Sequence, residues 1–153
     1  MAQISKLIRK KLGDLLVEAG TLKEDQLREA HLRMRATGES LVETLGLLGF
    51  ATEMEVAKTV SKQFGLPFID ASRYRIPKEA VEAVPVAFQR QNQLAVLDRI
   101  GKTLIVAVAG VLNGEIFDKL EKSSGGQLFL YVSTLSRVMT ALEKAGPAAA
   151  GKK

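Results

Sequence analysis

The sequence predicts an α+β fold: an N-terminal four-helix repeat subdomain followed by a small mixed β-sheet with helices on one face. Two observations predict it. Between Lys11 and Gln63 one pattern of apolar residues and glycines occurs twice, at an offset of 29 residues. After Gly65, short runs rich in β-branched residues alternate with helical segments. We therefore expect a helical subdomain at residues 1–65, an α/β subdomain at 66–146 and a flexible tail at 147–153.

The first repeat is predicted to contain two helices. Apolar residues recur at steps of three and four up to Ala19, and Gly20 ends the first helix. The segment Thr21–Glu24 has the form of a capping box, although the repeat aligns Lys23 with Thr52 and leaves the helix start open. The second helix ends at Gly38 and is expected to bury one stripe of side chains: Leu27, Ala30, His31 and Met34.

The second repeat has clearer helix starts. Ser40–Glu43 and Thr52–Glu55 are both predicted capping boxes. The fourth helix is predicted to run to about Phe64 and to be capped by Gly65. The residues expected to face inward from it are Val56, Val60, Gln63 and Phe64.

The remainder is predicted to alternate strands and helices. Strands are expected at 66–70, 93–98, 103–109 and 127–132, and Gly101 fits a hairpin turn between the middle two. A short helix is expected at 78–84, and the segment 88–91 is irregular or helical. Asn113 and Ser133 are predicted to cap the last two helices, the second of which ends at Gly146.

The composition excludes several kinds of site. There is no cysteine, so disulfides and cysteine metal sites are excluded. His31 is the single histidine and no carboxylates cluster near it, so neither a zinc site nor a catalytic role is expected. No phosphate-binding loop for ATP and no Gly-x-Ser-x-Gly nucleophile motif is present. We therefore expect no enzymatic activity and no required cofactor.

The hydropathy and the charge of the sequence predict where the protein is located and whether it binds nucleic acid. The longest apolar run, Leu104–Leu112, is too short to span a bilayer, and no secretory signal is recognised, so a cytoplasmic protein is expected. The net charge of +5 comes from dispersed basic residues, apart from clusters at the two termini. Because no aromatic residues are interleaved with these clusters, we do not expect a nucleic-acid partner.

The duplicated pattern resembles a known bacterial family. Residues 11–34 and 40–63, separated by the five residues 35–39, fit the twice-occurring motif of the N-terminal domain of type II secretion and type IV pilus assembly ATPases. This domain is called the GspE N-terminal or MshEN domain, and many members bind cyclic di-GMP between the two motifs. The resemblance covers most of residues 5–145 and does not include the ATPase domain. The chain is therefore either a stand-alone domain or a piece of a larger protein.

The resemblance implies a ligand-binding set, at the positions that match the motif or keep its charge: Lys11, Leu12, Gly13, Gly20, Leu41, Gly49 and Gln63. Four positions depart from the motif. Lys11 and Ser40 replace arginine, Met34 replaces glutamine and Val42 replaces glycine. Lysine keeps the charge but lacks the planar fork of arginine. From the residues alone, Gly13 fits either tight helix packing or close approach of a ligand, and Gln63 is either a ligand contact or a rim residue.

Two functions follow from the resemblance. The first is a non-catalytic regulatory or adaptor module that acts by protein–protein interaction with a component of a secretion, pilus or motility machine. The alternative is a cyclic di-GMP receptor, in which Lys11 meets phosphate, Gly13 lets the backbone approach and Gln63 contacts a base edge. A basic cleft near Lys11 and Gln63 would favour the receptor, and an apolar surface patch would favour the protein partner.

Overall fold

The duplicated pattern forms two helical hairpins with equivalent boundaries. The computed structural model describes residues 11–109 and 114–150. The first hairpin consists of α1 (Leu12–Glu18) and α2 (Glu24–Thr37), and the second of α3 (Leu41–Leu48) and α4 (Glu53–Phe64). The starts of α3 and α4 follow those of α1 and α2 by 29 residues, as the offset predicts. The repeat in sequence is therefore a repeat in structure.

Two of the predicted capping boxes are confirmed. The Ser40 Oγ accepts the Glu43 N–H at 3.3 Å, and the Ser40 N–H donates to Glu43 Oε1 at 3.1 Å. Thr52 and Glu55 make the same pair of bonds at 3.1 and 2.8 Å. Each box satisfies two N–H groups that a helix start otherwise leaves unpaired. Gly38 and Gly65 end α2 and α4, as predicted, and Gly49 ends α3; all three have positive φ.

The Thr21–Glu24 capping box is wrong. Helix α2 begins at Glu24, and the N–H of Lys23 donates to Gln26 Oε1 at 3.0 Å. Thr21 instead shares a 2.7 Å hydrogen bond with Thr59 of α4, which ties the first hairpin to the second. The repeat alignment of Lys23 with Thr52 therefore gives the correct start of the helix.

Two predicted inward-facing side chains are exposed. His31 lies on the surface of α2, where only Ala30 is buried and Leu27 and Met34 are half-buried. Helix α2 packs mainly against α3 and not against the sheet, so its apolar stripe is narrow. Gln63 is also exposed, although its neighbour Phe64 is buried.

Three strands form the predicted mixed sheet. They are β1 (Leu94–Ile100), β2 (Thr103–Val108) and β3 (Gln127–Val132), in the order β1-β2-β3. Strands β1 and β2 form an antiparallel hairpin around Gly101, whose φ is +61°, and β2 pairs with β3 in parallel. The register shifts between Val96 and Asp98, which places Leu97 in a β-bulge.

The α+β class is confirmed, but helices cover both faces of the sheet, not one. Val96, Val106 and Leu130 share a core cluster with Val84 and with Phe64 of α4. Their strand neighbours Ala95, Leu97 and Ala107 point the other way, into a cluster with the last helix and with all four repeat helices. A helical layer is needed on each face because alternate strand residues are apolar in both directions.

The segment 66–70 was predicted to be a strand and forms only a short extended stretch. It pairs with β3 through one bridge, with the Val132 N–H donating to the Pro67 carbonyl and the Ile69 N–H donating to the Val132 carbonyl, both at 2.9 Å. Pro67 has no N–H, and the Leu66 N–H is donated back to Ser61 at the end of α4. A 3₁₀ turn, Ala71–Arg73, follows.

Four further helices flank the sheet: α5 (Lys78–Ala83), α6 (Val86–Gln91), α7 (Gly114–Ser124) and α8 (Leu135–Ala150). The predicted cap Asn113 lies outside the described residues. Ser133 was wrongly assigned as the cap of the last helix: the Thr134 Oγ1 accepts the Arg137 N–H, whereas the buried Ser133 hydroxyl accepts the N–H of Ala71. The predicted end of that helix at Gly146 is also wrong, because α8 continues to Ala150.

Candidate functional site

The predicted ligand residues of the first repeat lie around the start and the end of α1. Lys11 is the exposed N-cap residue of α1, and its side chain makes no cap bond. Leu12 is half-buried and packs against both core clusters. Gly20 follows the C-cap with φ +80° and has open space around its Cα. Of these three residues, only Lys11 presents a charged group to solvent.

Gly13 is buried against the second helix of its own hairpin. A Cβ built on Gly13 would stand 2.7 Å from Cδ1 of Leu27, closer than real Cβ contacts. The equivalent residue of the second repeat, Val42, is 3% exposed and lies in the same core cluster as Val56, the equivalent of Leu27. Glycine faces leucine in one hairpin, and valine is clustered with valine in the other. The absence of a side chain at Gly13 leaves room for the larger side chain of Leu27, which supports the interpretation of Gly13 as a packing residue.

The predicted ligand residues of the second repeat lie on α3 and α4. Leu41 is half-buried against the core, and Gly49 ends α3 with φ +75°. Gln63 is exposed near the end of α4, and it is not among the described residues that line the cleft beside Lys11.

The cleft beside Lys11 has a volume of about 600 Å³ and carries charges of both signs. Two cations and three carboxylates line it, together with two apolar side chains: Lys11, Arg28, Asp14, Glu18, Glu24, Val17 and Leu27. An anionic dinucleotide is favoured by an excess of positive charge. Among the described residues the lining of this cleft is neither basic nor apolar, so it meets neither of the two criteria set from the sequence.

A second cleft, of about 590 Å³, lies at the equivalent place in the second hairpin. Ser40, Glu43 and Glu53 line it, and they follow Lys11, Asp14 and Glu24 of the first cleft by 29 residues. Both carboxylates are engaged: Glu43 caps α3, and Glu53 Oε1 accepts the Ser136 N–H of α8 at 2.7 Å. Sequence reasoning missed this cleft, although the 29-residue offset points to it once the first cleft is known.

The second cleft also contains the one described non-glycine residue with positive φ. Gln93, with φ +56°, immediately precedes β1, and its carbonyl accepts the Ala109 N–H at 3.1 Å. Arg90 lines the same cleft. Glu53 already occupies the N-terminus of α8, so the arrangement joins the helical repeats to the α/β part.

The overall charge of the described body is balanced. All 17 acidic residues and 17 of the 22 basic residues lie between positions 11 and 150. The other five basic residues, which account for the net charge of +5, are Lys6, Arg9, Lys10, Lys152 and Lys153. Long-range attraction of anions is therefore not a property of the described part of the chain.

One described carboxyl with a shifted pKa organises the turn before α5. Hydrogen bonds from Ser72, with the guanidinium groups of Arg137 and Arg73 nearby, hold the pKa of Asp70 below its usual range. Asp70 thereby fixes the 3₁₀ turn against α8. The arrangement is structural, since the side-chain contacts of Asp70 are to residues of the turn and of α8.

The described residues contain no group of three or more histidines and carboxylates placed to hold a metal ion. Across the same residues, no helix has the length and apolar character needed to cross a membrane. Buried polar side chains in this part of the chain all have hydrogen-bond partners.

The chain is similar to pilus and secretion ATPases over a small share of their length. It is 29% identical over 140 residues to the type IV pilus assembly ATPase PilB of Thermus thermophilus, which covers 90% of the chain and 16% of that protein. It is 25% identical both to PilB of Myxococcus xanthus and to the type II secretion system protein E of Xanthomonas campestris. Each of these matches covers 88% of the chain and 24% of the relative. The chain thus spans less than a quarter of these relatives.

Solved structures agree in fold. The structure of MshE with cdg is 29% identical, with a TM-score of 0.59, over 89% of this chain and 99% of that one. The N-terminal domain of XpsE shares the fold, with a TM-score of 0.65 and 24% identity over 87% of this chain and 92% of that one. The model of the MshEN domain matches residues 64–152, the α/β part, whereas the MshE and PilB matches cover about nine-tenths of the chain and so include most of the repeats as well. The chain belongs to the MshEN domain family.

Proposed function

We propose that this chain is a non-catalytic docking module that regulates or recruits a secretion or pilus ATPase through protein–protein contacts. The observation that carries the proposal is the set of large apolar side chains left on the surface. Leu32 and Leu47 in the repeats are each 63% exposed, and Ile100 and Phe129 at the sheet are 62% and 53% exposed. Leu32 and Leu47 lie on the neighbouring helices α2 and α3, and Ile100 and Phe129 lie on one face of the sheet. Exposed apolar side chains grouped in this way favour a protein partner.

The packing and the charged residues of the two repeats support the same proposal. Gly13 packs against Leu27 and Val42 lies in the core, so the third motif position of both repeats contributes to packing. Of the described residues that line the cleft beside Lys11, three are carboxylates and two are cations. The repeats therefore act first as a scaffold that presents a surface.

Co-purification tests this function. The tagged full chain is expressed in a bacterium that carries type IV pilus and type II secretion machinery, and the proteins retained are identified by mass spectrometry. We expect a component of one of these machines to be retained. A paired variant, Leu32→Ser with Leu47→Ser, and a separate variant, Phe129→Ser, test the two exposed regions, and Glu29→Ser on the exposed side of α2 is the control. If neither machine yields a retained component, the proposal is wrong.

We propose cyclic di-GMP binding as a second function, on one specific observation. The structure of MshE with cdg, here cyclic di-GMP, matches this chain over nearly all of the MshE chain. Lys11 keeps a positive charge at the first motif position and faces solvent. In this proposal Lys11 contacts phosphate and Gln63 contacts a base edge. The surface around the ligand is shaped by Leu12, Gly13, Gly20, Leu41 and Gly49.

Calorimetric titration at moderate salt tests the second function. Saturable binding at micromolar concentration or below is the expected result. Lys11→Ala is then expected to weaken binding by about 1–3 kcal/mol, as for a lost charge-assisted contact. Lys23→Ala is the control, because Lys23 is an exposed lysine before the next helix. No heat up to about millimolar ligand, where the binding free energy is only about −4 kcal/mol, would exclude this function.

A further inference from the structure

One face of the sheet is covered by α8 over only part of its length. Ala95 and Ala107 share a core cluster with Val138 and Leu142 of α8. Nearer the β1–β2 turn, the strand register places Asp98, Ile105 and Phe129 side by side. The next row on the same face consists of Ile100, Thr103 and Gln127. We define Asp98, Ile100, Ile105 and Phe129 as the open sheet face.

The open sheet face combines three apolar side chains with one carboxylate, and Thr103 and Gln127 lie beside it. Ile100 and Phe129 are more than half exposed, and Ile105, in the same row as Phe129, is half-buried. Asp98 Oδ1 accepts the N–H of Arg99 at 2.8 Å. Asp98 takes part in none of the ion pairs found among the described residues. A carboxylate without a cation beside two large apolar side chains is complementary to an apolar group that carries a neighbouring positive charge.

The size of the open sheet face argues against a second copy of this chain. Three strands about 4.8 Å apart and two rows of side chains about 7 Å apart cover on the order of 200 Å². A stable interface needs about 800 Å² from each partner. A single helix laid beside α8, in contrast, would extend the helical layer that already covers the rest of this face.

We infer that the open sheet face docks an amphipathic helix of a partner protein, with its apolar side on Ile100, Ile105 and Phe129 and a lysine or arginine opposite Asp98. This inference rests on the proposed docking function and assigns the chemistry of the partner. The cation gives the contact its specificity, because a helix with carboxylates at the same positions would be repelled by Asp98.

Two synthetic helices serve as probes for the full chain. Both are 14-residue amphipathic peptides with leucine on one side, and they carry either lysine or glutamate on the other. Backbone amide resonances are followed by NMR as each peptide is added. The lysine peptide is expected to shift the resonances of Ile100, Ile105 and Phe129 saturably. Phe129→Ser is expected to weaken this binding at least tenfold and Asp98→Asn about threefold to tenfold, whereas Glu29→Ser, at an exposed position of α2, leaves it unchanged.

Three results would overturn the inference. One is equal binding of the glutamate peptide, and another is resonance shifts confined to other surfaces. The third is dimerisation of the chain that Phe129→Ser abolishes while neither peptide binds. Co-purification distinguishes failure of this inference from failure of the proposed docking function. If the Phe129→Ser variant retains a pilus or secretion component as well as the unmodified chain does, the open sheet face is not the docking site, but the docking function is still supported. Failure to retain any component refutes the docking function itself.

Discussion

Gly13 of α1 lies directly against Leu27 of α2, where a Cβ on the glycine would stand 2.7 Å from Leu27 Cδ1. The equivalent pair in the second hairpin, Val42 and Val56, divides the volume differently, with more in the first helix and less in the second. The helices of the two hairpins thus start at equivalent positions although different apolar side chains pack at this contact, and protein cores tolerate such substitution when the apolar pattern is kept.

We predict that Gly13→Ala destabilises the chain by about 1 kcal/mol, because the overpacking against Leu27 exceeds the gain in helix propensity. In the Leu27→Val background the same substitution is expected to be neutral or stabilising. Urea unfolding of the four members of this mutant cycle measures the coupling. Gly46→Ala is the control: Gly46 lies in α3, and a Cβ there would meet no neighbouring side chain within 4 Å, so alanine is expected to add about 1 kcal/mol. Equal stabilisation at positions 13 and 46 would contradict the packing role.

The start of α2 lacks half of a capping box. Gln26 accepts the N–H of Lys23 at 3.0 Å, but lysine has no side-chain acceptor for the N–H of Gln26. Thr52 supplies that acceptor at the equivalent position of the second hairpin. Lys23→Thr is therefore expected to raise the free energy of unfolding by about 0.5–1 kcal/mol. Thr52→Ala should lower it by about 1 kcal/mol, and a Lys23→Ala variant separates loss of the lysine from gain of the cap.

Gln89 supplies hydrogen bonds to the outer edge of β1. Its side chain is 2% exposed, its Nε2 donates to the Val84 carbonyl at 2.8 Å, and its Oε1 accepts the Val96 N–H at 2.8 Å. Gln89→Leu leaves two buried backbone groups unpaired, so a loss of about 2–5 kcal/mol is expected in urea unfolding. Gln91→Leu, at the exposed end of the same helix, is the control and is expected to change stability by less than about 0.5 kcal/mol. A tolerated Gln89→Leu would show that β1 does not depend on this side chain.

Ser72 sets the acid sensitivity of the turn at Asp70. The Ser72 hydroxyl and N–H donate to Asp70 Oδ1 at 2.5 and 3.1 Å, and they are the main reason that the pKa of Asp70 is lowered. A carboxyl with a lowered pKa in the folded state stabilises the fold above its unfolded pKa of about 3.9, and this contribution is lost as the pH falls through the folded value. Ser72→Ala should raise the pKa of Asp70 toward its ordinary value, so the loss begins at higher pH.

Carboxyl-carbon NMR titration of Asp70 checks this prediction, together with urea unfolding at pH 7 and pH 3. Ser136→Ala is a suitable control, because Ser136 is exposed at the start of α8 and contributes its backbone N–H to Glu53. An unchanged Asp70 titration in Ser72→Ala would assign the lowered pKa to the backbone N–H of residue 72 and to Arg137 and Arg73 instead.

Local chemistry made much of the fold predictable. The capping boxes at Ser40 and Thr52 involve residues three positions apart, and Gly101 allows the tight turn between β1 and β2. Contacts distant in sequence explain several of the errors. The hydroxyl of Thr21 bonds to Thr59 and that of Ser133 bonds to Ala71, although each has the local pattern of a helix cap.

The candidate site was less predictable than the fold. The seven candidate ligand residues were selected because they match the family motif or keep its charge. The charged residues that line the cleft beside Lys11 depend on how α1 and α2 pack, which the sequence alone does not give. The open sheet face depends on the pairing of Ile105 with Phe129, residues on strands separated by α7. Neither property can be deduced from the spacing of neighbouring residues.

The sequence by itself determined the 29-residue duplication, the helix ends at Gly38 and Gly65 and the three strands of the sheet. The duplication is visible as a repeated pattern, and the helix ends and strands depend on backbone preferences and periodicity within a few residues. Only the tertiary structure decided that His31 and Gln63 face solvent, that both sheet faces are covered and that Gly13 meets Leu27. Those outcomes depend on which elements pack together, and burial is a property of the packed assembly of helices and strands, not of any one segment.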